Sequence, residues 1–194
     1  MSGLKQLLED LTSGDEPRAE NAAVQFISHG DKGFEALQIL VTNTDEDTRW
    51  WALRAVSEFG TPQSSEILIA ALHDPATSVQ MCAAVGLRLH PDPNAIEPLT
   101  SLLDSTAPLL AKVAGDALAA IGKPATQPLI QVIENSESTH RVKLEAVRVL
   151  ASIKDTSAIS TLFKVSQEGS SMMQYWAEKG LDNLGIGMMF FDPS

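Results

Sequence analysis

A repeat of about thirty-one residues runs through most of this chain and constrains its fold more than any other feature. Leucines recur at one position of the repeat: Leu37, Leu68, Leu99, Leu129 and Leu162. Alanines recur at a second position: Ala52, Ala83, Ala114, Ala146 and Ala177. A period of this length is typical of small supersecondary units that stack on one another, so the pattern predicts an array of similar units.

Each repeat reads as a pair of short amphipathic helices. Apolar residues recur three and four positions apart in two segments, which are separated by Asp, Ser, Thr, Asn or Pro. No segment alternates like a β-strand. The second helices are predicted at residues 48–59, 78–90, 108–121, 141–153 and 172–184. Gly60, Gly122 and Gly185 are predicted to end helices, because glycine tolerates the positive φ of a helix stop.

The sequence predicts one domain made of about six helical hairpins. Residues 1–33 are predicted to form a divergent capping hairpin, residues 34–187 five repeats, and residues 188–194 an apolar tail. The tail contains Met188, Met189, Phe190 and Phe191. Two interpretations of it remain open: a cap folded over the last hairpin, or a docking segment for a partner or for a second copy of the chain in a homodimer.

Several residues of the repeat also match a known family pattern. Asp74 and Asp104 fall in predicted turns, Arg49 and Lys143 open second helices, and the alanine column beginning at Ala52 follows. This pattern resembles the HEAT repeat family, and in particular the HEAT-like repeats of phycobilisome lyases. The column of basic residues departs from the family pattern at Gln80, Ala111 and Gln174. The resemblance implies an all-α, right-handed α-α superhelix, an α-solenoid whose second helices line a concave inner surface.

Two adjacent tryptophans open the first well-defined second helix. Trp51 shares its repeat position with Cys82 and is in phase with the apolar stripe, so we predict that it lies in the core. Trp50 is one position out of phase, which predicts a more exposed side chain. Its column continues as Met81, Lys112, Leu144 and Tyr175. By resemblance Trp50, Met81, Leu144 and Tyr175 are predicted to form an inner binding wall, and packing against the next repeat is the alternative.

Charge adds a prediction about partners. The chain has a net charge of −11, which disfavours nucleic acids and anionic membranes as partners. The predicted second helices nevertheless contain more basic than acidic residues. Four of these basic residues are predicted to steer an acidic segment of a protein partner: Arg49, Arg54, Lys143 and Arg148. No apolar run reaches the length of a membrane span, so we expect no membrane insertion.

The sequence contains no recognisable catalytic or metal-binding motif. None of the four histidines is followed directly by glutamate, and the HEAT-repeat metal hydroxylases use such His-Glu pairs to hold iron. The single cysteine, Cys82, lies in the apolar column and is predicted to be a structural thiol. One cysteine also fits a reducing compartment, so a cytoplasmic location is expected. No catalytic residue, metal or cofactor is predicted.

Three functions are compatible with these patterns. The first is a non-enzymatic scaffold or adaptor that binds proteins through the inner surface. The second, implied by the resemblance, is a phycobilin lyase-like subunit or chaperone that binds an open-chain tetrapyrrole, with arginines for its propionates and an aromatic wall for its rings. The third is an assembly factor for a metal cluster or a multiprotein complex.

Overall fold

The computed structural model describes residues 2–186, and within them the chain forms twelve α-helices and no β-strand. The helices are α1 Ser2–Leu11, α2 Glu16–Gln25, α3 Gly30–Leu40, α4 Glu46–Val56, α5 Pro62–Ala71, α6 Thr77–Leu89, α7 Ile96–Leu102, α8 Pro108–Ile121, α9 Thr126–Glu134, α10 His140–Ile153, α11 Ile159–Glu168 and α12 Ser171–Asn183. Successive helices pair as six hairpins, from α1 with α2 to α11 with α12. The all-α fold class and the hairpin repeat predicted from the sequence are confirmed.

The chain divides into two compact units of three hairpins each, at residues 1–90 and 91–194. In the first unit the second helices stack in order, α2 against α4 and α4 against α6. In the second unit α8 packs against α10, and α10 packs against α12. Each second helix therefore contacts the equivalent helix of the neighbouring hairpin in its unit, as expected for stacked repeats.

Local sequence signals fix where the helices begin and end. The Asp45 carboxylate caps α4 by accepting a bond from the backbone amide of Thr48, and Thr61 caps α5 in the same way through the amide of Ser64. Gly60 and Gly122 have positive φ values of 58° and 77° after α4 and α8, which confirms the predicted stops. Within this pattern α4 is shorter than predicted, since it ends at Val56 rather than at residue 59.

The two repeated columns form the core of both units. All five leucines of the first column are at most 1% exposed, and all five alanines of the second are 0% exposed. Small residues allow the second helices to approach closely. A Cβ atom added to Gly180 of α12 would lie 2.9 Å from the Cα atom of Ala151 in α10. The backbones of α10 and α12 are therefore close together at this position.

The turns inside the hairpins share a polar side chain that accepts a bond from the backbone amide two residues on. In the first five hairpins the residues that do so are Ser13, Asn43, Asp74, Ser105 and Asn135, at 3.2, 2.8, 2.8, 3.2 and 3.0 Å. Asp104 lies one residue before this position. Asp74 and Asp104 both lie in turns, as predicted, and the repeated contact needs only a short side-chain oxygen acceptor.

The predicted division into residues 1–33, 34–187 and 188–194 stays a prediction. The α1–α2 hairpin lies within residues 1–33, although α3 already begins at Gly30. The apolar tail with Met188, Met189, Phe190 and Phe191 lies outside the described residues, and its two interpretations stay predictions.

Candidate binding site

The start of α4 brings acidic and aromatic side chains together. Asp45 caps the helix, and its carboxylate accepts bonds from the Thr48 amide at 2.8 Å and the Thr48 hydroxyl at 2.7 Å. These bonds hold the pKa of Asp45 below its ordinary value. Glu46 and Asp47 occupy the first turn, where the helix dipole favours negative charge. The next turn carries Trp50 and Trp51.

The two indoles lie against each other edge to face. Their ring centroids are 4.7 Å apart, and the ring planes meet at 83°. Both side chains are only partly buried, whereas the neighbouring Ala52 is fully buried. The prediction that Trp51 lies in the core was therefore wrong. The fully buried positions that follow on α4 hold smaller side chains, such as Ala52 and Ala55, whereas Trp51 lines a cavity at the start of the helix.

Both tryptophans line a cavity of about 520 Å³ in the first unit. The cavity is bounded by the end of α1 and the following turn, by the beginnings of α2 and α4, and by α6. The lining residues are Leu11, Thr12, Gly14, Glu16, Asp45, Asp47, Thr48, Trp50, Trp51 and Ser78. Three of these carry carboxylates and none is basic. Ser78 also donates a hydrogen bond to Glu46, which ties α6 to α4 beside the cavity.

Arg49 lies on the same helix but is engaged inside the protein. Its guanidinium forms two bonds of 2.8 Å with the Asp74 carboxylate in the next hairpin. It also donates to the backbone carbonyls of Asn43 and Thr44 at 3.0 and 3.1 Å. Both side chains of the ion pair are 11% exposed. The bond from Arg49 lowers the pKa of Asp74, and the same bond raises the pKa of Arg49.

Two other arginines of the predicted steering set are also paired within the chain. Arg54 bonds to Glu20 of α2 and to Glu58. The Arg148 guanidinium bonds to Asp116 of α8 at 2.9 Å and to Glu145 at 2.8 Å.

These pairs correct the predicted basic surface. Lys143 is half-buried and makes no ion pair within residues 2–186. The other three predicted steering residues, Arg49, Arg54 and Arg148, are neutralised by neighbouring repeats. Counting the basic residues of the second helices therefore overestimated the charge available to a partner.

The other members of the predicted wall are divided between the two units. Met81 is half-buried in the first unit, next to the Trp50 helix. In the second unit Leu144 is half-buried, and Tyr175 is 53% exposed. Tyr175 and Trp176 form another edge-to-face pair, with centroids 5.3 Å apart and planes at 73°. The second unit thus repeats the aromatic pair of the first.

The Trp176 ring is in contact with the side chain of Lys179. The Nζ atom of Lys179 lies 4.9 Å from the ring centroid, within the range of a cation–π interaction. Sequence reasoning missed this contact, although the spacing of three residues on one helix placed the two side chains on the same face.

Cys82 has the properties of a structural thiol. Its side chain is buried, and its S–H group donates to the backbone carbonyl of Trp50 across a distance of 3.6 Å. Burial raises the pKa of this thiol to about 12, which keeps it protonated at neutral pH.

The described residues contain neither a candidate metal cluster nor a candidate membrane span. Within residues 2–186, no three His, Cys, Asp or Glu side chains are grouped so that they could hold a metal ion. Over the same residues, no helix is both long and apolar enough to cross a membrane.

Comparison with known proteins gives a consistent family match. A family model described as HEAT repeats matches residues 4–88, 34–119 and 65–139 in overlapping segments. No curated protein sequence matches the chain.

Solved structures of low sequence identity share the fold. An engineered protein has a TM-score of 0.56 at 24% identity, with 96% of this chain and 98% of that chain covered. The complex of CpcE and CpcF of phycocyanin lyase from a Nostoc species has a TM-score of 0.55 at 23% identity, covering 94% of this chain and 77% of the other. A designed armadillo repeat protein in complex with the peptide (KR)4 has a TM-score of 0.51 at 19% identity, covering 93% and 99%.

Proposed function

Because this chain belongs to the HEAT repeat family, we propose that it is a non-enzymatic protein-binding module whose main contact site is the Trp50–Trp51 cavity of the first unit. The observation that carries the proposal is the pair of partly exposed indoles at a cavity of about 520 Å³. Tryptophan is enriched at binding hot spots, where a few well-packed side chains supply most of the affinity. Keeping two indoles in partial contact with water has no evident benefit for folding.

The fold is suited to this use. Stacked hairpins present a series of second helices side by side, and a partner segment can contact several of them at once. The designed armadillo protein in complex with the peptide (KR)4 is an example of a peptide bound by a similar fold. Tyr175 of the second unit, at 53% exposure, is proposed as a further contact for a protein partner.

A tetrapyrrole ligand is less well supported than a protein. Its propionates would need free arginines, and Arg49, Arg54 and Arg148 all have internal carboxylate partners. The cavity itself is lined by carboxylates, which would repel propionates. The same carboxylates would repel an acidic segment of a protein partner. A role in assembling a larger complex would use the same protein-binding site. We propose the cytoplasm as the location of the protein.

The proposal is tested by comparing the proteins captured from a lysate of the source organism by three tagged forms. These forms are the wild type, Trp50→Ala, and the control Ile39→Ala, which removes an apolar side chain that is 73% exposed on α3. We expect a partner that is retained by the wild type and by Ile39→Ala and lost from Trp50→Ala. Capture of the same proteins by all three forms would refute the assignment of this site. Visible absorption of the purified wild type tests the tetrapyrrole alternative in the same preparation.

A further inference from the structure

We propose that the Trp50–Trp51 cavity receives a cationic side chain, a lysine or an arginine carried by a basic segment of the protein partner. This inference rests on the proposed function and specifies the chemistry of the partner. The sequence predicted an acidic partner segment, whereas this inference assigns a basic one.

The first argument is the charge of the cavity lining. Glu16, Asp45 and Asp47 bring three carboxylates to one cavity, and no basic residue among residues 2–186 lines it. Asp45 is committed to capping α4. Glu16 and Asp47 are exposed, and neither makes an ion pair within the described part of the chain. A positive group entering the cavity would therefore find negative charges that are not already neutralised.

The second argument is that the equivalent aromatic pair in the second unit already binds a cation. Trp51 and Trp176 occupy the same position of the repeat, and each is paired with the aromatic residue before it. Three residues later the second unit has Lys179, whose ammonium lies over the Trp176 ring. The geometry of such a pair is thus compatible with a cation on the indole in this protein.

The first unit does not supply that cation from its own helix. The residue three positions after Trp51 is Arg54, and its guanidinium is bonded to Glu20 and Glu58. Within residues 2–186, Lys179 is the one cation found over an aromatic ring. The Trp50–Trp51 pair therefore combines an aromatic surface, a carboxylate-lined cavity and no internal cation.

Size is consistent with a side chain as the occupant. A cavity of about 520 Å³ lies within the range of roughly 300–1,000 Å³ found for small-molecule sites, so a long cationic side chain can enter with room for part of its backbone. Arginine is favoured among the two cations, because its planar guanidinium stacks on an aromatic ring and bonds to carboxylates at the same time.

The test is a calorimetric titration of the full chain with short blocked peptides, at low and at physiological salt. The probe is acetylated and amidated tetra-arginine, and the comparison peptides are tetra-citrulline, which is nearly isosteric but neutral, and tetra-glutamate. We expect tetra-arginine to bind and the other two peptides not to bind. Binding of tetra-citrulline with equal affinity would show that charge is not recognised and would overturn the proposal, as would the absence of tetra-arginine binding.

Matched variants separate the cavity from the general negative charge of the chain. Glu16→Gln/Asp47→Asn removes two cavity carboxylates, and the control Glu35→Gln/Glu66→Gln removes two exposed carboxylates of α3 and α5 that do not line it. We expect tetra-arginine to bind the cavity variant about fivefold more weakly and the control less than about twofold more weakly at physiological salt. Equal losses in the two variants would mean only that a basic peptide is attracted to an acidic protein.

Replacement of the aromatic group tests the second argument. Trp51→Leu keeps an apolar side chain but removes the indole at the repeat position of Trp176, and we expect about fivefold weaker tetra-arginine binding. Thermal unfolding of each variant confirms that it is folded before its titration is interpreted. If Trp50→Ala loses the captured partner while Glu16→Gln/Asp47→Asn retains it and tetra-arginine does not compete, the site binds protein without a cation. The proposed function then stands, and this inference fails.

Discussion

The ion pair between Arg49 and Asp74 should stabilise the first unit much more than the corresponding contact between Arg141 and Asp104 stabilises the second. Both pairs join a second helix to a turn of the neighbouring hairpin. The first has two bonds of 2.8 Å between side chains that are each 11% exposed. The second has one side-chain contact of 2.9 Å, between side chains that are 46% and 64% exposed. The two ion pairs therefore differ in burial and geometry but join the same kinds of structural element.

The expected magnitudes follow from these exposures. Exposed ion pairs are worth about 0.2–1 kcal/mol, and breaking a fully buried pair costs roughly 3–5 kcal/mol. A bidentate, mostly buried pair lies between these limits, so we expect a coupling free energy of about 2 kcal/mol for Arg49 with Asp74. For Arg141 with Asp104 we expect about 0.5 kcal/mol.

Two double-mutant cycles measure the couplings. The substitutions are Arg49→Met with Asp74→Asn, and Arg141→Met with Asp104→Asn. The bonds from Arg49 to the carbonyls of Asn43 and Thr44 are absent from both variants that lack the arginine, so they cancel in the cycle.

Urea unfolding followed by tryptophan fluorescence gives the free energies. Trp176→Phe leaves indoles in the first unit alone, and Trp50→Phe/Trp51→Phe leaves an indole in the second unit alone. Each cycle is measured in the background that reports on its own unit. Couplings that agree within about 0.5 kcal/mol would refute the reasoning, because burial would then have no influence on the strength of these contacts.

Three further predictions concern packing, reactivity and acid stability. Gly180→Ala should lower the free energy of unfolding by about 1–2 kcal/mol in spite of the higher helix propensity of alanine, because the new Cβ would lie 2.9 Å from the Cα atom of Ala151. The control is Gly3→Ala, whose new Cβ would lie 3.4 Å from the nearest atom, and it should not destabilise the chain in the same urea titration. Cys82 should resist a disulfide reagent at pH 8 in the native protein and react rapidly in urea, since burial raises its pKa to about 12; rapid absorbance change without urea would contradict this. The folded-state pKa of Asp74 lies below its ordinary value of 3.8. The contribution of Asp74 to stability is therefore complete above pH 3.8 and is lost as the pH falls through the lowered pKa. In urea titrations repeated from about pH 6 to pH 2, the range over which a carboxylate titrates, the stability difference between the wild type and Asp74→Asn should shrink as the pH falls.

Periodicity was sufficient to predict the fold because burial in a repeat protein depends on neighbours at fixed offsets. Leu37 and Ala52 are fully buried, as are the leucines and alanines at the same positions of the other repeats, so the same choice of residue recurs. The helix stops at Gly60 and Gly122 were predictable for a local reason, namely the positive φ that follows these helices.

The proposed binding site was less predictable, because it depends on contacts between repeats that cannot be read from one repeated position. Trp51 is in phase with the core, but its indole is only partly buried and lines the cavity instead. Arg49 was assigned to a binding surface from its charge, and its partner Asp74 lies twenty-five residues away in the next hairpin. Opposite charges at such a separation are common in any sequence. Only the arrangement of the helices selects the pair that meets.

The pair also has a consequence for anyone who lengthens this protein by duplicating a hairpin. Arg49 and Asp74 belong to different hairpins, so a copied α3–α4 segment would carry the arginine without its carboxylate. The turn position equivalent to Asp74 in that segment is Asn43, whose side chain makes the same backbone contact but has no charge. The inserted copy would therefore contain an unmatched guanidinium at each new junction. A graft cut within α4, before Arg49, and within α6 would move both partners together and preserve the junction.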